Sequence, residues 1–79
     1  MRKERILLNS VEKVNYFTSV VGKYEHKIDL ANDSCVINAR SILGIFSLNL
    51  AAPLEMIIHE SDEKLDELLD SLTPFLIHS

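Results

Sequence analysis

The sequence has few of the residues that cross-link a small fold or mark a catalytic centre. Its 79 residues include one cysteine, two glycines, two prolines and no tryptophan. Cys35 cannot form an internal disulfide, and no other cysteine stands at the spacing of a metal site. Packing alone must therefore hold the fold, and a reducing compartment is the default expectation.

Long apolar runs and basic runs are also missing. The apolar stretch Ile6–Leu8 after the charged N-terminus stops at Asn9, so neither a signal peptide nor a membrane span is predicted. The 12 acidic and 8 basic side chains give a net charge of −4, which argues against a nucleic-acid surface. We expect a cytoplasmic protein with no membrane or nucleic-acid partner.

The residue groupings that catalysis requires do not occur in the sequence. It contains no carboxylate pair for acid–base work, no nucleophile with its base, no glycine-rich phosphate loop and no cluster of metal ligands. The acidic run from Glu60 to Asp70 is most simply the solvated face of a final helix. We expect one non-enzymatic domain over residues 1–79, with no metal and no cofactor.

The hydrophobic pattern changes its period several times along the chain. Apolar residues at helical spacing alternate with stretches in which every second residue is apolar. The predicted elements are a strand over residues 2–8, a helix over about 11–21, strands over 24–30 and 35–37, a short helix ending near 49, a strand over 54–58 and a final helix. With so little chain between neighbours, an antiparallel sheet with helices on one face is the natural arrangement.

Polar residues and a glycine mark the predicted helix ends. Asn9 and Ser10 offer side-chain oxygens to the first helix, and Glu12 stands three residues after Asn9, as in a capping box. Gly22 offers a left-handed stop, and Ser61 is the predicted cap of the final helix. The buried stripe of that helix is predicted to be Leu65, Leu68, Leu69 and Leu72.

Residues 37–48 resemble part of a known family. The segment reads INARSILGIFSL, close to the regulatory segment NAKSILGLMSL of the HPr family, the small phosphocarriers of the bacterial sugar phosphotransferase system. The order of predicted elements matches the family, and the resemblance extends over residues 2–77. It implies an α+β fold, the HPr-like open-faced sandwich βαββαβα, with three helices on one face of a four-stranded antiparallel sheet.

The same register indicates that the family's phosphate acceptor is missing. Family members carry phosphate on a histidine at the start of the first helix, but Ser10 occupies that position here and Glu12 occupies the family's arginine position. A serine ester does not relay phosphate easily, and Glu12 would repel an anion that the helix start attracts. The resemblance implies a degenerate member without catalytic residues, similar to catabolite-repression HPr.

The three histidines are candidates for a replacement phosphate acceptor, and the cysteine is a candidate for a reactive thiol. The pattern places His26 in a strand, His59 at the end of the last strand and His78 in the tail, so none begins the first helix. We interpret each as a surface or partly packed histidine. Cys35, on a predicted strand, is interpreted as a small buried apolar residue.

Ser41 occupies the position of the serine that HPr kinase/phosphorylase modifies in the family. Phosphate there would add nearly two negative charges at the start of the short helix. Capping of the helix would by itself also explain a serine at this position.

The resemblance further implies that the exposed side of the short helix docks on partner proteins such as Enzyme I, the kinase and the catabolite control protein. The corresponding partner-binding residues are Arg40, Ile42, Leu43 and Phe46. Inward packing of Ile42, Ile45 and Phe46 is the alternative, which we accept for Ile45.

Three functions follow as hypotheses. The first is a non-catalytic regulatory or adaptor protein switched at Ser41, with HPr kinase/phosphorylase and a transcriptional regulator as candidate partners. The second is a self-associating structural or interaction module that swaps residues 2–8 between two chains without phosphorylation. The third and least favoured is a working phosphocarrier. A monomer and a homodimer are both compatible with the sequence.

Overall fold

Seven helices and strands and one short 3₁₀ turn follow one another in the computed structural model, which describes residues 1–77. In chain order they are β1 (Arg2–Ile6), α1 (Val11–Val21), β2 (Ile28–Ala31), β3 (Val36–Asn38), α2 (Ile42–Phe46), β4 (Leu54–Ile58) and α3 (Leu65–Ser71), and the 3₁₀ turn covers Thr73–Phe75. The predicted order βαββαβα is confirmed.

The strands form an antiparallel sheet in the order β1-β4-β2-β3. The inner strand β4 pairs with β1 and with β2, so that Ile58 lies opposite both Arg2 and Ile28. The edge strand β3 pairs with β2, where Asp29 lies opposite Asn38. Successive strand residues point to opposite faces, and the buried residues of β4 alternate with more exposed ones. The predicted α+β class, an open-faced sandwich, is thereby confirmed.

The core lies between the sheet and the helices. Phe17 of α1, Ile45 of α2 and Met56 of β4 are fully buried. Phe17 also contacts Phe75 edge to face, with 6.2 Å between ring centroids. The predicted stripe of α3 is confirmed, since all four of its leucines are buried: Leu65, Leu68, Leu69 and Leu72.

The C-terminal segment lies along the outer edge of β1. The Leu7 N–H donates to the Phe75 carbonyl at 2.9 Å, and the Ile77 N–H donates to the Arg5 carbonyl at 2.9 Å. Between these two hydrogen bonds, Ile6 forms an antiparallel bridge with Leu76. The end of β1 therefore has backbone partners on both sides.

Two strands begin later than the sequence predicts. Strand β2 begins at Ile28, so His26 precedes the strand; the Lys27 N–H donates to Glu60 Oε1 at 2.7 Å instead of joining a ladder. The Asn32 side chain accepts from the Cys35 N–H at 2.8 Å, which holds Cys35 in the turn before β3. The prediction that Cys35 is buried was wrong, because this turn exposes it.

The helix ends also differ from the predicted ones. Ser10 alone caps α1, its Oγ accepting from the Lys13 N–H at 3.1 Å, so the capping box from Asn9 to Glu12 does not form. Gly22 has a right-handed φ of −65° rather than a left-handed one. The final helix begins at Leu65, too far along the chain for Ser61 to be its cap.

Candidate functional site

The loop between β3 and α2 places Ser41 at the start of α2. Asn38 orders this loop, because its Oδ1 accepts from the Arg40 N–H at 2.8 Å and its carbonyl accepts from the Ser41 N–H at 3.0 Å. The Ser41 Oγ accepts from the Gly44 N–H at 3.2 Å. Ser41 is therefore the N-cap of α2, and it is exposed to solvent.

Gly44 lies close to the side chain of the capping serine. A Cβ added at Gly44 would lie 3.0 Å from Oγ and 3.3 Å from Cβ of Ser41, closer than ordinary van der Waals contact. A larger residue at position 44 would make the Ser41 side chain shift by a few tenths of an ångström. The glycine that weakens the helical pattern in the sequence thus allows Ser41 to approach the helix closely.

Three large apolar side chains of α2 face solvent and are called the α2 patch below. They are Ile42, Leu43 and Phe46, with exposed fractions of 40%, 82% and 42%. Phe46 follows Leu43 by three positions and Ile42 by four, so it neighbours both on the helix surface. Ile45 is fully buried, as expected for that residue. The predicted partner-binding residues of this helix thus lie together beside Ser41, and their binding role stays a prediction.

Arg40 is the fourth predicted partner-binding residue. Its guanidinium donates hydrogen bonds to backbone carbonyls of the same chain. Its Nη1 donates to the His26 carbonyl at 2.8 Å, and its Nη2 donates to the Val21 carbonyl at 3.1 Å and to the Tyr24 carbonyl. These acceptors lie 14 to 19 positions earlier in the chain, so no local sequence pattern signals the contacts.

The start of α1 is the second site that the sequence analysis identified. Ser10 caps the helix and Glu12 is exposed in its first turn, where a carboxylate interacts favourably with the helix dipole. The same carboxylate would oppose a second negative charge at this helix end. The first turn of α2, by contrast, has no acidic residue.

The two described histidines each contact an aspartate. His26 Nε2 lies 2.8 Å from Asp62 Oδ1, and His59 Nε2 lies 2.8 Å from Asp29 Oδ2. His26 is only 4% exposed, more buried than the sequence suggests. His78 lies outside the described residues.

Asp62 also begins the last helical region. Its Oδ1 accepts from the Lys64 N–H at 2.9 Å, just before α3. The hydrogen bond with His26 lowers the pKa of Asp62 below that of an ordinary aspartate, and the Lys64 N–H adds to the effect. Asp62 and Glu60 therefore link the loop before α3 to the segment before β2, and only the later part of the acidic run is a solvated helix face.

Other kinds of site receive no support from the described part of the chain. Residues 1–77 contain no group of three or more histidine, cysteine, aspartate or glutamate side chains placed to hold a metal ion. Over the same residues, no helix combines the length and the apolar character needed to cross a bilayer.

Solved structures with the same architecture identify the fold. HPr-C-His from Thermoanaerobacter tengcongensis matches with a TM-score of 0.75 and 22% sequence identity, over 94% of this chain and 89% of its own. The phosphocarrier protein HPr from Bacillus anthracis matches with a TM-score of 0.70 and 20% identity, over 96% of each chain. This chain has the HPr fold.

A third structure with the HPr fold is Crh, the catabolite repression protein of Bacillus subtilis. It matches with a TM-score of 0.61 and 21% identity, over 99% of this chain and 92% of its own, and it is described as a dimer with a swapped domain. No protein-family model and no curated protein matches the chain by sequence. At these identities the likeness establishes the fold, and function has to be argued from the residues.

Proposed function

We propose that this protein is a non-catalytic regulatory or adaptor protein of the cytoplasm, related to the phosphotransferase system. It binds other proteins through the α2 patch, and phosphorylation at Ser41 changes which partner binds. The observation that carries the proposal is an exposed serine cap directly beside three exposed apolar side chains. Exposed apolar patches on small domains usually mark contact surfaces. HPr and Crh, which share the fold, support the assignment.

The chemistry at Ser41 is a phosphoryl transfer from ATP, catalysed by a separate kinase. The Ser41 Oγ forms a bond to the γ-phosphorus while the bond to the ADP oxygen breaks, and the hydroxyl proton passes to a base of the kinase. The cap uses Oγ as an acceptor, so it does not require this proton. The added charge would lie at the positive end of α2, with no acidic side chain in the first turn to repel it.

The modification can be tested with HPr kinase/phosphorylase, ATP and mass spectrometry of the intact protein. We expect the wild type to gain one phosphate and Ser41→Ala to gain none. Ser10→Ala is the matched control, because Ser10 is also a helix-capping serine, and it should be phosphorylated like the wild type. A wild type that gains no phosphate would refute the switch at Ser41.

The docking surface can be tested by binding a transcriptional regulator of the catabolite-control type to the phosphorylated protein. We expect Leu43→Ser to weaken binding by about fivefold or more, because truncating an apolar interface anchor usually costs over ~1 kcal/mol. Val36→Ser is the control, since Val36 is 64% exposed but lies on the edge strand β3. Equal affinities of the two variants would contradict docking through the α2 patch.

The alternative function is a self-associating module that exchanges β1 between two chains. The swapped dimer described for Crh favours it, and the short connection from Ile6 to Ser10 could act as a hinge. Opposing it, exchange must release β1 from β4 and also from the C-terminal segment that pairs with Arg5 and Leu7. Light scattering over a range of protein concentrations separates the two functions, because a monomer throughout would exclude the exchanged dimer.

A further inference from the structure

Arg40 supplies the positive charge that the end of α1 lacks. The last turn of α1 contains no basic residue, and Gly22 does not form a left-handed cap. The carbonyls of a helix's last turn have no partner within the helix and form the negative end of its dipole. The Arg40 Nη2, donating to the Val21 carbonyl, therefore acts as a C-cap from a distant part of the chain.

The same guanidinium holds the segment between α1 and β2. Residues 22–27 belong to no helix or strand, and two of their carbonyls, those of Tyr24 and His26, accept hydrogen bonds from Arg40. His26 in turn contacts Asp62 before α3. One side chain thus positions both the end of α1 and a segment that reaches the start of the last helix.

Arg40 is also the residue immediately before Ser41. The backbone N–H groups of both residues donate to Asn38, so their positions relative to one another are set. The present partners of the guanidinium are neutral carbonyls, whereas a phosphate on Ser41 would be a doubly charged acceptor on the adjacent residue of the chain. Arginine binds phosphate through paired, charge-assisted hydrogen bonds that are roughly twice as strong as neutral ones.

We propose that Arg40 is a positioning residue that couples the state of Ser41 to residues 22–27. With Ser41 unmodified, Arg40 caps α1 and holds the segment. With phosphate on Ser41, Arg40 turns to the phosphate and the carbonyls of Tyr24 and His26 lose its hydrogen bonds. The Val21 carbonyl then keeps the Tyr24 N–H but loses Arg40, and the segment loosens. The biological use of this coupling rests on the proposed function, but the coupling itself depends only on a phosphoserine at position 41.

The test uses the full chain made by chemical synthesis with phosphoserine at position 41, so no kinase is involved. Amide hydrogen exchange is measured at Lys23, Tyr24 and Lys27, whose N–H groups donate to Val20, Val21 and Glu60. We expect exchange at these amides to become about tenfold faster on phosphorylation, while amides of β4 stay unchanged. A chain with phosphoserine at exposed Ser34, at the other end of β3, is the control and should behave like the unmodified protein.

Arg40→Lys and Arg40→Gln show whether Arg40 carries the effect. Neither side chain can reach all three carbonyls in the geometry of a guanidinium, so we expect fast exchange at residues 22–27 whether or not Ser41 carries phosphate. In the phosphorylated wild type, the Arg40 side-chain N–H resonances should also shift as the phosphate titrates near pH 6. An arginine that keeps its three backbone carbonyls would show a much smaller shift than one that binds the phosphate.

Two results would overturn the coupling. One is unchanged exchange at residues 22–27 in the synthetic phosphoprotein, and the other is an equal acceleration by phosphate in the wild type and in Arg40→Lys. Failure of the kinase to modify Ser41 is a different result. It would refute the proposed function, but the synthetic phosphoprotein would still test the coupling.

Discussion

Helices α1 and α2 begin in the same way and differ in everything that follows. Each has a serine N-cap whose Oγ accepts a hydrogen bond from the N–H three residues later, from Lys13 in α1 and from Gly44 in α2. Beyond the cap, α1 runs for 11 residues and buries four apolar side chains in the core, whereas α2 runs for 5 residues and buries only Ile45.

The difference separates a helix that holds the fold from a helix that presents a surface. The charge at the two starts differs as well, because Glu12 stands in the first turn of α1 and α2 has no acidic residue there. The proposed function relies on the start of α2, which has no acidic residue in its first turn and is flanked by exposed apolar side chains. Identical local capping therefore indicates a helix start but not its function.

The largest expected effect is the loss of a core side chain from α1. Phe17→Ala should lower the free energy of unfolding by about 3–5 kcal/mol, because Phe17 is fully buried and its removal leaves a cavity. Leu43→Ala on α2 should change it by less than about 0.5 kcal/mol, because Leu43 is 82% exposed. Urea unfolding measures the free energy of unfolding of both variants. Comparable losses would contradict the conclusion that α1 holds the fold while α2 presents a surface.

The second expected effect is the loss of each cap. Ser10→Ala and Ser41→Ala should each cost about 1 kcal/mol, with Ser10→Ala the larger, because α1 has more core contacts that depend on its first turn. Urea unfolding of the two variants under the same conditions tests the order. A larger loss for Ser41→Ala would show that α2 contributes more to the fold than its exposure suggests.

The third prediction concerns Gly44 and involves two opposing effects. Alanine should favour the helix by up to about 1 kcal/mol, while its Cβ would make the Ser41 side chain shift by a few tenths of an ångström and so weaken the cap. We expect Gly44→Ala to change the free energy of unfolding by less than about 0.5 kcal/mol. In the Ser41→Ala background, Gly44→Ala should raise the free energy of unfolding, because no cap remains to be weakened. A lower free energy of unfolding there would contradict the close approach of the Ser41 side chain to Gly44.

The smallest expected effect is a pH dependence just before α3, where the Asp62 carboxylate accepts from the Lys64 N–H. The pKa of Asp62 is lower in the folded protein than in an unfolded chain, so its contribution is present above the ordinary aspartate value of about 4 and is lost as the pH falls below it. Asp62→Asn should therefore lose less stability on acidification than the wild type. Denaturant unfolding between pH 6 and 3 measures this, and parallel curves would contradict it.

Much of the fold could be predicted because apolar residues recur along the sequence at the spacing of a helix or a strand. The leucines of α3 recur at helical spacing, and those of its buried stripe are buried as predicted. The alternation from Leu54 to Ile58 likewise gave the bounds of β4. The start of β2 could not be predicted, because alternation from Tyr24 onward reads as a strand while Glu60 provides the partner of the Lys27 N–H.

The candidate site was only partly predictable. Ser41 and its apolar neighbours were found through a short segment that resembles a family, and the structure places them together and exposed. The contacts of Arg40 were missed, because its acceptors lie in another part of the chain. His26 was missed for the same reason, since Asp62 is 36 positions away.

The sequence by itself determined the order of the helices and strands, the buried faces of β4 and α3 and the serine caps of α1 and α2, because these depend on residues within a few positions of one another. Only the tertiary structure decided that Arg40 caps α1, that Asp62 binds a buried histidine and that the C-terminal segment covers the end of β1. The physical reason is that donors without a partner in their own helix, strand or turn form hydrogen bonds with acceptors that only the folded chain brings close to them.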